Sequence, residues 1–298
     1  IALSANGKTS TTSRILARKE KEVSWLVQDD GGTLIPDGSF HGFEAGGIFV
    51  KTEGVNPGDQ AEIYYSLMKP ETVCENVYVD ENGEFDLYNF DRTSNGRAVV
   101  MRKDFMHASP HIDVEKIDNF VIITRGPLVP AISKLTCEQA AAMMVLGQAM
   151  ESSAGDPTKA GTIRTEFFYD PFAAGNRTEH ANIFYNIVKN LPDMNFYLLN
   201  TGWVGEDEHY MDIRLEHSMG ILDSLIRGGL EDWKDSPTGF QVPAAIRVVN
   251  DFYVHPEKLY TRAEFETKQA ALNKLRFEAV DKLGSNLHPD IRNVFNRG

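Results

Sequence analysis

Two short apolar runs, NFVIIT at 119–124 and NFYLLN at 195–200, constrain the fold of this chain more than any other feature. Each run is continuous rather than alternating, which is typical of a strand buried on both faces of a sheet. Helical periodicity appears at 137–150, 180–190 and 216–228, and most clearly at 262–283. Strands interleaved with helices in this way predict an α/β fold with a mixed β-sheet.

Three further segments favour strands. VSWLVQ at 23–28 and GGIFVK at 46–51 are rich in β-forming residues, and NVYVDENGEFDLY at 76–88 alternates about an Asn-Gly pair, which predicts a hairpin. A helix is predicted within KTSTTSRILAR at 8–18. No Pro/Gly/Ser-rich linker divides the 298 residues, so a single nucleotide-binding domain over 1–298 is predicted.

Composition limits the classes of partner. The chain carries 30 Lys and Arg against 43 Asp and Glu, a net charge of −13, which argues against a nucleic-acid surface and an anionic membrane partner. It does not argue against a small anionic substrate, because a few basic residues can dominate one cleft. Cys74 and Cys137 form no C-x-x-C motif, which indicates reduced core thiols in a cytoplasmic protein.

The first ten residues, IALSANGKTS, contain a partial phosphate-binding loop. The full motif is G-x-x-x-x-G-K-[ST], in which backbone N–H groups surround the phosphates, Lys reaches their oxygens and the hydroxyl binds Mg²⁺. Gly7, Lys8 and Thr9 fit the motif, whereas Ala2 stands at its first glycine; the alternative is a polar turn. A strand should precede such a loop and IALS is short for one, so we expect the chain to be the C-terminal portion of a longer protein. The predicted cofactor-binding residues here are Ser4, Ala5, Asn6, Gly7, Lys8, Thr9 and Ser10.

An acidic pair, Asp29-Asp30, ends the predicted strand at 23–28. Beside a phosphate-binding loop, an acid at the end of a neighbouring strand is a candidate metal ligand, and the alternative is a solvated turn. Two other segments have ligand-type residues without favouring a metal site. Pro110 interrupts the helix that His107 and His111 would need, which predicts a surface loop, and the acidic run at 206–208 is interpreted as a solvated face.

In their order along the chain these segments resemble the ATP-dependent phosphoenolpyruvate carboxykinase family. ALSANGKTS is similar to its G-L-S-G-T-G-K-T-T loop, LVQDD to its L-I-G-D-D strand, and FEAGGIFVKT to F-E-G-G-C-Y-A-K-T. NGRAVV resembles N-T-R-V-S, AISKLT resembles P-V-S-R-L-T, and NTGWVG matches the diagnostic N-T-G-W-x-G.

The resemblance implies the reaction of oxaloacetate with ATP to give phosphoenolpyruvate, CO₂ and ADP, an enzyme of gluconeogenesis. It implies ATP, Mg²⁺ and Mn²⁺ as cofactors. Lys8 would contact the transferred phosphoryl group and Thr9 the nucleotide-bound Mg²⁺. Asp30, with Asp29 beside it, would ligate Mn²⁺. Lys51 would neutralise nucleotide phosphates, and Arg97 would lie between the phosphoryl group and the substrate carboxylate.

Departures from the family pattern leave alternatives open. RGPLVPA at 125–131 replaces a longer lid motif, and we expect segment 125–136 to be a mobile lid. The family's metal-binding Lys and His, and its other oxaloacetate-binding residues, precede the loop and have no counterpart in this chain. The alternatives are a kinase with another small-molecule or protein acceptor, and a degenerate nucleotide-binding regulatory module. The altered lid favours these alternatives, whereas the joint presence of Lys8, Thr9, Asp29, Asp30 and Arg97 favours catalysis.

Overall fold

The structure is a computed structural model that describes residues 1–2, 8–14, 24–29, 31–91, 95–150, 163–168 and 174–296. Its contacts divide the chain into two compact units, a smaller one of residues 9–116 and a larger one of residues 1–8 and 117–298. Each unit has its own apolar core. The single domain over 1–298 stays a prediction.

The smaller unit is built on short antiparallel strands. Its strands are β1 (Gly32–Leu34), β2 (Phe40–Gly42), β3 (Gly47–Lys51), β4 (Val73–Glu75), β5 (Tyr78–Val79), β6 (Phe85–Asp86) and β7 (Arg97–Met101). Its helix α2 spans Ala61–Leu67, and α1 (Lys8–Thr12) starts at the last residue of the larger unit's N-terminal segment. Strand β7 lies between β3 and β4, β1 pairs with β2, and β5 pairs with β6.

Alternating side chains explain the three-stranded sheet. Ile48 and Val50 of β3, with Ala98 and Val100 of β7, are buried in the core, while the residues between them face outward. The strand predicted at 46–51 and the hairpin predicted at 76–88 are confirmed. The strand predicted at 23–28 is wrong within 24–28, where Leu26 forms one isolated parallel bridge with Ala108.

The larger unit contains a mixed sheet with helices. Its strands are β8 (Asn119–Thr124), β9 (Ile132–Leu135), β10 (Gln148–Met150), β11 (Ile163–Thr165), β12 (Asn195–Asn200), β13 (Trp203–Val204), β14 (Met211–Asp212), β15 (Lys234–Asp235) and β16 (Gln241–Val242). Its helices are α3 (Cys137–Leu146), α4 (Arg177–Lys189), α5 (Leu215–Ile226), α6 (Asp251–Val254), α7 (Arg262–Asp281) and α8 (Pro289–Arg292).

The central sheet has the order β15-β16-β9-β12-β8, in which β12 is parallel to β8 and antiparallel to β9. The two apolar runs of the sequence are β8 and β12, and the mixed α/β architecture is confirmed. Ala2 adds a parallel bridge to Ile123 of β8, so the chain enters the predicted phosphate-binding loop beside that strand.

Local capping explains where the helices begin and end. Thr136 and Gln139 form a capping box at the start of α3, Asn176 caps α4, and Thr261 with Glu264 caps α7. The helix predicted at 137–150 ends at Leu146, because Gly147 adopts a left-handed conformation with φ of 45° and residues 148–150 form β10. Within the described parts of the chain, no helix combines the length and apolar character required to cross a bilayer.

The mobile lid expected at 125–136 is wrong. Leu128, Val129 and Ala131 are buried, and Ile132–Leu135 is β9, between β16 and β12 in the central sheet. The Asn200 amide at the end of β12 donates to the carbonyl oxygens of Gly126 at 2.9 Å and Val129 at 2.7 Å. The burial of residues 128–131, these hydrogen bonds and the strand pairing of residues 132–135 all argue against opening of the segment as a lid.

Candidate functional site

The predicted phosphate-binding loop is described only at its end. Lys8, Thr9 and Ser10 form the first residues of α1. Ser4, Ala5, Asn6 and Gly7 lie outside the described residues, as does Asp30. Their assignment to cofactor and metal binding stays a prediction.

Asp29 joins two threonines of α1. The Thr9 hydroxyl donates to Oδ2 of Asp29 at 2.9 Å, and the Thr12 hydroxyl donates to Oδ1 at 2.7 Å. Asp29 is only 5% exposed, so its negative charge is held in place by these donors rather than by water. The solvated turn considered for Asp29 is therefore wrong, and the carboxylate lies beside the predicted Mg²⁺-binding hydroxyl of Thr9.

Glu44 connects Asp29 to strand β3. Its Oε2 accepts the backbone N–H of Asp29 at 2.9 Å, and its Oε1 accepts the backbone N–H of Phe49 at 3.0 Å. Arg102 donates to the carbonyl oxygens of Val27 at 3.0 Å and Glu44 at 3.4 Å, and burial lowers the pKa of this guanidinium while Glu44 opposes the shift. Glu44 thus fixes the 27–29 segment against the strand that ends at Lys51.

Lys51 and Arg97 lie side by side on the outer face of the three-stranded sheet. They are register partners on the antiparallel strands β3 and β7, and both side chains are exposed. Directly opposed residues have Cβ atoms about 5 Å apart. Glu75 of β4 pairs with Arg97 on its other side, so the row reads Lys51, Arg97, Glu75 across the sheet. Two adjacent cations on one exposed face can bind one polyanionic group.

The donor set suits a hard divalent cation. A threonine hydroxyl and a carboxylate are the oxygen ligands that Mg²⁺ and Mn²⁺ take beside nucleotide phosphates. Among the described residues no three His, Cys, Asp or Glu side chains come together as a complete metal cage. Thr9 and Asp29 therefore fit a cation that takes its other ligands from a nucleotide and from water.

The NTGW motif has a structural role at its first residue. Asn200 is fully buried; its amide binds the carbonyl oxygens of residues 126, 129 and 203, and its Oδ1 accepts the Gly202 N–H at 3.0 Å. These bonds fix the loops that leave the carboxyl ends of β8 and β12, where ligands bind in open α/β sheets.

The two segments predicted not to bind metal, at 107–111 and at 206–208, differ in their burial. His107 is 5% exposed, contrary to the surface loop predicted there, and neither ring nitrogen has a hydrogen-bond partner. In the acidic run, Glu206 accepts a hydrogen bond from Lys268 at 2.5 Å while Asp207 and Glu208 are exposed, as predicted. Cys74 and Cys137 are free thiols, and both are half-buried rather than in the core as predicted.

Sequence reasoning missed Thr12 and Glu44. Thr12 lies three residues after Thr9 on α1, a spacing that places both on one side of a helix. Glu44 lies in the segment FEAGGIFVKT, but its link to Asp29 is a tertiary contact that no local pattern indicates.

The chain resembles known proteins over most of its length. A family model described as phosphoenolpyruvate carboxykinase matches residues 1–251. The phosphoenolpyruvate carboxykinase (ATP) of Aeropyrum pernix is 32% identical over 262 residues, covering 87% of this chain and 51% of that protein. Proteins of the same name from Chelativorans sp. and Roseobacter denitrificans are 26% and 29% identical, over 98% and 90% of this chain and 54% and 50% of their own lengths.

The chain spans about half the length of the curated relatives that it matches. The matched region begins at residue 1 and includes Thr9, Asp29, Lys51 and Arg97. Because the family model spans well over half of the sequence, the chain belongs to the phosphoenolpyruvate carboxykinase (ATP) family.

Proposed function

We propose that this chain is the nucleotide-binding part of a cytoplasmic, ATP-dependent phosphoenolpyruvate carboxykinase, with a phosphate-binding loop at residues 4–10. The reaction is oxaloacetate plus ATP to phosphoenolpyruvate, CO₂ and ADP. The observation that carries the proposal is the continuous set of contacts from Thr9 through Asp29 and Glu44 to β3, whose last residue, Lys51, pairs with Arg97.

Positive charge is the main requirement of this chemistry. Phosphoryl transfer spreads negative charge over the transferred oxygens, and the protein contributes positioning and electrostatic stabilisation. Lys51 supplies a compact charge to the nucleotide phosphates. Arg97 supplies a planar guanidinium that binds a phosphoryl or carboxylate group through two parallel hydrogen bonds. Lys8, by the resemblance, takes the oxygens of the transferred phosphoryl group.

Thr9 and Asp29 would hold the divalent cation, with Asp30 as a further ligand. A bound cation there supplies charge neutralisation to the phosphate oxygens and to the oxygen of the acceptor. Asp29 orients the Thr9 hydroxyl through their 2.9 Å hydrogen bond, and Thr12 holds the other carboxylate oxygen. The chain's own part is therefore to keep one hydroxyl and one carboxylate in a fixed arrangement.

Nucleotide binding tests the chain directly. Calorimetry with Mg-ATP should show saturable binding, and Lys51→Ala and Arg97→Ala should each weaken it by about 10- to 100-fold, since a hydrogen bond to a charged group contributes about 1.5–3 kcal/mol. Lys69→Ala removes an exposed cation elsewhere in the smaller unit and should leave the affinity unchanged. Absence of ATP binding by the folded wild type would overturn the proposal.

Turnover separates the carboxykinase from its alternatives. In the protein that contains this chain, phosphorus NMR should show phosphoenolpyruvate forming from oxaloacetate and ATP in the presence of Mn²⁺. ATP binding with transfer to another acceptor instead would establish the kinase alternative. Binding without any transfer would establish the regulatory module.

A further inference from the structure

Arg125 lies at the edge of the larger unit where ligands of open α/β sheets bind. It directly follows β8, whose last residue, Thr124, pairs in parallel with Asn200 of β12. Ala2 pairs in parallel with Ile123, so the chain that leads toward Lys8 also leaves the sheet at this edge. The carboxyl ends of parallel strands are the general ligand-binding edge of such sheets.

The backbone around Arg125 is firmly held. The Thr124 hydroxyl donates to the Gln148 carbonyl at 3.0 Å, and the Thr201 N–H donates to the Thr124 carbonyl at 3.1 Å. The Gly126 carbonyl on the other side is bound by the Asn200 amide at 2.9 Å. The side chain therefore extends from a fixed position rather than from a mobile loop.

Gly202 of the NTGW motif makes room for the Arg125 side chain. A Cβ atom placed on Gly202 would lie 3.0 Å from both Cβ and Cγ of Arg125 and 3.4 Å from its Cδ. A side chain at position 202 would displace the arginine stem. The absence of a side chain at position 202 therefore lets the arginine stem pack against this backbone.

Among the described residues, no side chain forms a hydrogen bond or an ion pair with the Arg125 guanidinium. Its Nε is buried and has no hydrogen-bond partner, and no ion pair joins it to a carboxylate in the described ranges. Burial lowers the pKa of Arg125, and the nearby Asp212 and Tyr210 oppose that shift. An arginine stays protonated in such surroundings, so an unpaired cation remains at this edge.

We propose that Arg125 binds the phosphate chain of the nucleotide, as a cation of the larger unit additional to Lys8. The inference rests on the proposed function, because it assumes that a nucleotide binds this edge. Arg125 belongs to the short segment RGPLVPA, where the chain departs from the family pattern. A planar guanidinium fixed at a sheet edge matches the fork geometry of phosphate oxygens.

Calorimetry with Mg-ATP and with tripolyphosphate tests this role. Arg125→Met keeps an apolar stem that can pack on Gly202 but removes the charge. It should weaken the binding of both ligands by about 10- to 100-fold, while the melting temperature of the protein stays unchanged. Arg125→Lys should retain most of the tripolyphosphate affinity because the charge remains. Arg227→Met, which removes a solvent-accessible arginine at the C-terminal end of α5, should change neither affinity.

The outcomes separate the two proposals. Unchanged affinities in Arg125→Met, with normal binding by the wild type, would overturn the role of Arg125 and leave the proposed function standing. Failure of the wild type to bind either ligand would overturn both. If Arg125→Met does not fold, Arg125→Gln replaces it, and the dependence of tripolyphosphate affinity on salt should then be shallower than in the wild type.

Discussion

Thr9 and Thr12 donate to different oxygens of one buried carboxylate, yet only Thr9 occupies the metal-binding position of a phosphate-binding loop. Their structural contributions are therefore similar, whereas their proposed functional contributions differ. Variants of Thr9 and Thr12 can therefore be compared as a matched pair. One variant measures the hydrogen bond alone, and the other measures the hydrogen bond together with the ligand.

Valine at either position keeps the shape of threonine and removes the hydroxyl. Thr9→Val and Thr12→Val should each lower the free energy of unfolding by about 1 kcal/mol, because one oxygen of Asp29 loses a donor. Only Thr9→Val should also weaken Mg-ATP binding, by about 10-fold or more. Urea unfolding and calorimetry provide the two measurements. Equal losses of nucleotide affinity in both variants would contradict the assignment of Thr9 as a ligand.

At the scale of elements, Glu44 connects the 27–29 segment with strand β3. Its two carboxylate oxygens accept two backbone N–H groups, those of Asp29 and Phe49. The connection sets where Asp29 lies relative to the strand that carries Lys51. Glu44 is only 6% exposed, so water does not replace a lost acceptor.

Glu44→Gln should destabilise the smaller unit by about 1–3 kcal/mol, because the amide has one acceptor oxygen for two backbone donors, of which that of Asp29 is buried. Mg-ATP affinity should fall as well, since the spacing between Asp29 and Lys51 is no longer fixed. Glu75→Gln, on the exposed end of β4, is the control and should change stability by less than about 0.5 kcal/mol. An equal effect of the two substitutions on urea unfolding would rule out a special role for Glu44.

Strand β9 gives the second element-scale prediction. Its residues Ile132–Leu135 pair with β12 on one side and β16 on the other, and Ile132 and Ser133 are fully buried. Their amides should exchange with solvent as slowly as those of β12, with and without nucleotide. Hydrogen exchange followed by mass spectrometry measures this. Rapid exchange that slows when ADP is added would support the hypothesis that this segment is a mobile lid.

At the scale of the whole molecule, pH affects a chain with a net charge of −13 through many groups, but one histidine stands apart. His107 is buried beside Phe105, with no hydrogen bond to either ring nitrogen. Burial lowers its pKa, and Glu62 only partly opposes the shift. The folded chain therefore binds a proton at His107 less readily than the unfolded chain does.

The sign of the resulting pH dependence follows from linkage. The stabilisation from neutral His107 is complete above the unfolded pKa of about 6.5 and is lost as pH falls below it toward the folded value. His107→Phe should remove this contribution, so the difference in free energy of unfolding between variant and wild type should grow in favour of the variant between pH 7.5 and pH 5. Urea titrations at several pH values measure it. A pH-independent difference would show that His107 titrates alike in both states.

The sequence by itself determined several elements of the fold and their order along the chain. The continuous runs of β8 and β12, the caps of α3 and α7 and the hairpin of β5 and β6 are local, because each depends on residues within a few positions of one another. The order of motifs also indicated the family, and the family model confirms it. Local signals failed at 23–28, where a β-rich segment forms one bridge in place of a strand.

Only the tertiary structure decided how the side chains meet. Asp29 lies twenty residues from Thr9, and Lys51 lies forty-six from Arg97, so neither pair is visible in a local pattern. The segment at 125–136 is expected from the sequence to be a lid because it stands in place of the family's lid motif. In the folded chain Asn200, far along the sequence, donates to its carbonyl groups, and Leu128, Val129 and Ala131 are buried. Long-range hydrogen bonds and strand register depend on which surfaces are buried together, and that is a property of the folded chain.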